Sequence, residues 1–120
     1  MKISNDLRLT VTLRLLDTEG QRRFGPGVAA LLERVREKRS LRAAAGSMGM
    51  AYSKAWRIVR SAEDAFGYKL LESTIGGRHG GGAVLTEEAE ALLAAYQAFR
   101  VDVERYSQER FQALFAPRRE

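Results

Sequence analysis

In "RLTVTLRLLD" the apolar residues Leu7, Leu9, Val11, Leu13 and Leu15 alternate with Arg8, Thr10, Thr12 and Arg14, the period-two pattern of a half-buried strand. The next residues, "EGQRRFG", break that period. Pro26 then stands where a first helical residue belongs, and Val28, Leu31, Leu32 and Val35 recur at helical spacing through "PGVAALLERVREKR". Ser40 predicts the N-cap of a short helix, "LRAAAGSM", which Gly49 ends in a left-handed cap. A third helix is expected from Tyr52 to Phe66, closed by Gly67. Ala51, Ala55, Ile58, Val59, Ala62 and Phe66 fall on one side of it, and Tyr52, Ser53, Lys54, Arg57 and Arg60 on the other. "KLLESTI" and "AVLT" read as two short strands with a glycine-rich loop between them. From the N-cap Thr86, with Glu87 and Glu88 in the first turn, one long helix is predicted to about residue 116.

Two short helices joined by a tight turn, the second displaying small polar and basic side chains, have the pattern of a helix-turn-helix, and a following hairpin makes it winged. The expected fold is therefore mainly α with a small β-hairpin wing, an N-terminal strand and a long C-terminal helix. Residues 1–85 form the winged part and residues 86–116 the long helix of one domain. A helix enters the major groove only if its outward face offers donors to base edges and phosphates and nothing that collides with the duplex. Lys54, Arg57 and Arg60 meet that need, with Tyr52 and Ser53 near the helix N-terminus and Arg42 of the preceding helix placed for the DNA backbone. Taken alone, the third helix reads equally as an amphipathic helix with a solvated face. Trp56 reads as packing, clamping this helix against the rest of the domain.

"IGGRHGGGAVLT" holds five of the eleven glycines within seven residues. In a wing, Gly77, Gly80 and Gly81 permit positive φ and close approach to phosphates, while Arg78 and a protonated His79 reach the backbone or minor groove. A plain hairpin tip without a partner is the alternative. Along the long helix, Ala89, Leu92, Leu93, Tyr96, Phe99, Val103 and Tyr106 form an apolar stripe longer than a small winged domain covers. The expectation is a homodimer joined along that stripe, the alternative being that the helix folds back over the N-terminal strand and first helix.

Composition narrows the function. The 120 residues are 45% hydrophobic, enough for one domain with a core. The absence of cysteine excludes disulfides, thiolate metal sites and a catalytic thiol. A net charge of +5 points toward a polyanion, and its distribution sharpens the point: residues 25–66 carry +4 and residues 86–120 carry −2. One histidine makes no metal site, and no nucleophile, base and orienting residue stand together, so no cofactor and no catalysis are expected. The glycine loop matches neither nucleotide-binding fingerprint. The start lacks a signal peptide and no run approaches a membrane span, so a cytoplasmic protein without a membrane partner is expected.

The stretch "AYSKAWRIVRSAEDAFGYKLLESTIGGRHGGGAVLTEEAEALL" resembles the N-terminal DNA-binding domain of the ModE-type molybdate-responsive transcription regulators, distant relatives of the LysR-type regulators. Their pattern runs roughly S-Y-x-x-A-W, a spacer, then G-G-x-x-G-G-G-x-x-L-T. Here it falls on Tyr52, Ala55, Trp56, Gly76, Gly77, Gly80, Gly81, Gly82, Leu85 and Thr86. The resemblance implies a dimeric winged helix-turn-helix that binds specific duplex DNA and regulates transcription. Ala51 departs from the family serine that caps the recognition helix, a loss on the order of 1 kcal/mol. No segment corresponding to a molybdate-binding module follows, so no molybdate site is expected within this chain. The alternative function is a winged-helix interaction or architectural module whose long helix binds a partner protein.

Overall fold

A computed structural model describes residues 7–74 and 82–115. The N-terminal alternation yields less strand than its length suggests. Only β1, Leu15–Leu16, enters a ladder, pairing antiparallel with β2, Arg22–Phe24, across an irregular register. A strand needs a partner for its N–H and C=O groups, and the described residues supply one only for Leu15 and Leu16. Residues 7–14 instead run beside the C-terminal helix, where Tyr96 Oη donates to Leu13 O at 2.9 Å and Gln108 Nε2 to Leu9 O at 3.1 Å. The β1–β2 turn is built by Asp17, whose carboxylate accepts from the Glu19 and Gln21 N–H groups, with Gly20 at φ +86°.

Helix α1, Pro26–Lys38, begins with proline at its first position, where the missing N–H is no loss. Helix α2, Leu41–Ser47, is capped as expected, Ser40 Oγ accepting from Ala43 N at 3.0 Å. Helix α3, Tyr52–Phe66, ends at Gly67 in the left-handed conformation. Strands β3, Leu71–Thr74, and β4, Gly82–Leu85, pair antiparallel from Leu71 with Leu85 to Thr74 with Gly82. Helix α4, Glu87–Phe115, is capped by Thr86, whose Oγ1 accepts from Ala89 N and donates to Lys69 O. Its 29 residues make a rod of about 44 Å.

Two apolar clusters hold the elements together, and α1 contributes to both. Ala29 and Leu32 join Phe24, Ala62, Leu70, Ala89, Leu93 and Tyr96; Leu31 and Val35 join Leu41, Ala44, Ala45, Ala55 and Val59. Half of the predicted α4 stripe is thus consumed inside the chain. Ala89, Leu93 and Tyr96 are buried in its own core, whereas Phe99 and Tyr106 are 53% and 65% exposed. Leu92 and Val103 lie between these extremes.

Gly82 has a packing reason for being glycine. A Cβ there would sit 2.5 Å from Arg39 O, the same carbonyl that accepts from Ala83 N at 3.0 Å. Gly82→Ala must therefore push β4 off the end of α1. We expect a loss of about 1–3 kcal/mol in urea unfolding, and a change below about 0.5 kcal/mol would mean that this junction yields freely.

Candidate nucleic-acid interface

The turn between α2 and α3 sets how α3 is presented. Gly49 adopts φ +66°, and Met50 N donates back to Ala45 O at 2.9 Å. That tight reversal lets Ala55, Val59 and Ala62 bury against α1 and α2, so the rest of α3 faces outward. Ser53, Lys54, Arg57 and Arg60 are all exposed, as is Arg42 on α2, and Tyr52 is half-buried with its ring against the second cluster. Ala51 provides no side-chain cap, in keeping with the expected departure, and the first turn of α3 holds no acidic residue.

The acidic residues of α3 lie away from its reading end. Glu63 is buried and its Oε2 accepts from Leu70 N at 2.9 Å, so this carboxylate ties α3 to the approach of the wing. Asp64 sits in the last turn. The N-terminal two-thirds of the outward face therefore carries only neutral and cationic groups.

Trp56 corrects the sequence-based expectation. It does not clamp α3 to the domain but lies outward, 39% exposed, and belongs to neither core cluster. Its Nε1 donates to Tyr52 Oη at 2.8 Å; the Arg42 guanidinium stands 4.1 Å over the Tyr52 ring, and that of Arg60 stands 5.1 Å from the Trp56 ring. The result is a ladder, Arg42–Tyr52–Trp56–Arg60, along one flank of α3. Each cation–π contact at such exposed positions is worth about 0.5–1 kcal/mol, enough to bias where the two cations point. Helical spacing carries this signal: Trp56 lies four residues from both Tyr52 and Arg60, which that spacing places on the outward side.

The opposite flank of α3 is also cationic. Arg14, Arg22 and Arg23 of the N-terminal hairpin face Lys54, Arg57 and Ser61 across a groove of about 620 Å³. Arg23 is a structural member, its Nε donating to Asp17 Oδ2 at 2.9 Å and its Nη1 to Ser61 Oγ at 3.0 Å. Asp17 is held below the ordinary carboxylate range, first by the Gln21 N–H and then by Arg23, against an opposing effect of burial. It therefore stays ionised at neutral pH, and its hold on Arg23 weakens only when acid titrates the carboxylate.

Gly77, Arg78, His79, Gly80 and Gly81 fall between β3 and β4, outside the described residues. The hairpin that carries them is present. No group of three or more His, Cys, Asp or Glu side chains that could hold a metal occurs among the described residues, and no helix among them is long and apolar enough to cross a membrane.

A Gly-turned helix pair with a cationic second helix, followed by a two-stranded hairpin, defines a winged helix-turn-helix domain of the DNA-binding class. The chain belongs to the bacterial regulatory helix-turn-helix proteins of the lysR family, which it matches over residues 29–90, from within α1 to the start of α4. It is similar to the molybdenum-pterin-binding protein MopB of Rhodobacter capsulatus, with 37% identity over 81 residues, 68% of this chain and 30% of that protein. It is also similar to the molybdenum transport protein ModE of Herbaspirillum seropedicae, with 35% identity over 89 residues, 74% of this chain and 31% of that protein. The matched region thus spans about a third of the length of these relatives.

Proposed function

We propose that these residues form the reading head of a sequence-specific duplex DNA-binding regulator acting in the cytoplasm as a homodimer. The observation that carries it is the outward face of α3, where Ser53, Lys54, Arg57 and Arg60 stand exposed without a carboxylate before Asp64. Inserted in the major groove, that face directs Arg57 at base edges, where a bidentate contact to guanine is the commonest specific pairing. Tyr52, Ser53, Arg42 and Arg60 meet the phosphates beside it, and Gly77, Arg78, His79, Gly80 and Gly81 of the wing bind the backbone beyond. Nothing in this scheme requires an oxyanion or any other cofactor from these residues.

The dimer rests on the outer part of α4. At about 100° per residue, Leu92, Phe99, Val103 and Tyr106 share a stripe roughly a quarter turn from buried Leu93. Phe99 and Tyr106 are exposed and belong to neither core cluster of the described residues. The same stripe supports the other reading, an interaction module that binds a partner protein through α4.

Arg57→Ala should weaken binding to a selected duplex by about 1–3 kcal/mol and relax preference at one base position. Fluorescence anisotropy against a set of single-base variants of the site measures both. Unchanged affinity and preference would remove α3 as the reader. Failure of the unmodified protein to bind any duplex selected from a random library, at low salt, would favour the protein-partner reading.

A further inference from the structure

An α-helix with its side chains is about as wide as the major groove, so each flank of an inserted helix faces one phosphate ridge. On α3 the first flank is accounted for by Arg42 and Arg60. The second flank faces the β1–β2 hairpin, in which Arg23 is engaged by Asp17 and Ser61 while Arg14 and Arg22 hold no such partners among the described residues. Arg14 and Arg22 line the groove with Lys54 and Arg57, and no carboxylate lines it among the described residues. Neither Arg14 nor Arg22 forms a salt bridge among the described residues; the Asp17 carboxylate beside them is engaged by Arg23.

The hairpin is also fixed in position relative to α3. Arg23 bridges Asp17 in the turn to Ser61 on the helix, and Phe24 is anchored in the core. Gly25 brings the stem of Arg14 close, since a Cβ added at Gly25 would lie 3.4 Å from Arg14 Cγ. Two cations without an ion pair among the described residues are thereby held beside the recognition helix, where an anion from outside would relieve their mutual repulsion. A phosphate ridge lying along α3 supplies such charges in series, about one per 3.4 Å along its strand.

We propose that the β1–β2 hairpin is a second backbone clamp, in which Arg14 and Arg22, with Lys54, seat the phosphate ridge opposite the one met by Arg42 and Arg60. The inference rests on the duplex-DNA reading of α3 and extends its footprint to an element outside the matched residues 29–90.

The test compares the unmodified protein with R14A/R22A, and with R14Q/R22Q, which keeps the aliphatic stem over Gly25. Binding to one selected duplex is measured across a salt series, with phosphate-ethylation interference on both strands and circular dichroism to verify folding. Loss of two phosphate contacts should lower the slope of log K against log salt by about 1.8 and affinity at 0.1 M salt by about 10- to 60-fold. Base preference should be unchanged, and interference should be lost at about two phosphates of one ridge only, the contact of Lys54 remaining. If both variants keep the slope and the full phosphate pattern, the hairpin is no clamp while the α3 reading stands. Loss of interference evenly over both ridges would also overturn it, because it would mark a general charge effect. Inorganic phosphate that binds through Arg14 and Arg22 without competing with the duplex would make the groove a free-anion site instead. If the unmodified protein gives no interference on any phosphate, the α3 reading and the clamp fall together.

Discussion

Replacing Phe99 and Tyr106 together by serine is expected to convert the proposed dimer to a monomer and to weaken binding to a two-fold site by about 10²–10⁴-fold, the range gained by linking two binding events. The fold should survive, because both side chains are mostly exposed and belong to neither core cluster. Leu93 and Tyr96 are unsuitable for this experiment despite lying on the same predicted stripe. Both are buried, and Tyr96 also donates to Leu13 O, so polar replacements there would unfold the domain along with any dimer. Sedimentation at micromolar concentration reports assembly, and anisotropy with full and half sites reports linkage. A monomeric unmodified protein would remove the dimer from the proposal.

The largest effect on stability is expected at Phe24. Its ring is 2% exposed and makes edge contacts to Phe66 of α3 at 5.9 Å and to Tyr96 of α4 at 5.0 Å between centroids. One side chain thus joins the hairpin, the reading helix and the long helix, and Phe24→Ala opens a cavity at their junction. The cost should be about 3–5 kcal/mol, lowering Tm by about 10–25 °C in a domain of this size. Thermal unfolding followed by circular dichroism measures it, and a Tm shift of only a few degrees would show that the three elements close around the gap. Because β2 is anchored through Phe24, surviving folded protein should also lose the salt-dependent contribution assigned to Arg14 and Arg22.

Sequence reading succeeded where the deciding physics is local. Ser40, Gly49, Gly67 and Thr86 marked helix boundaries because capping and left-handed backbone are set by one residue and its immediate neighbours. The inward Ala55, Val59 and Ala62 and the outward Ser53, Lys54, Arg57 and Arg60 of α3 followed from helical period, whereas Trp56, read as packing, lies outward. Residues 7–14 were misjudged because alternation reports which side chains seek burial and not whether a second strand is available. Nothing local marks Glu63 for burial; only the fold brings Leu70 N to its carboxylate.

The order of the four helices, the caps at Ser40, Gly67 and Thr86, the hairpin around the glycine loop and the cationic surface of the reading helix were legible in the chain, since each depends on contacts within a few residues; β2 and the left-handed Arg39 that ends α1 were not. Tertiary structure alone decided three other matters. It buried Leu93 and Tyr96 while leaving Phe99 and Tyr106 exposed, because α4 outruns the core it packs against. It brought the Arg42 guanidinium over the Tyr52 ring, completing the ladder that Tyr52 shares with Trp56 and Arg60, because the α2–α3 turn sets the two helices side by side. It also placed Arg14 and Arg22 beside Lys54, which lies 40 and 32 positions further along the chain, because Arg23 reaches across to Ser61 and a long-range pairing of that kind leaves no periodic trace in sequence.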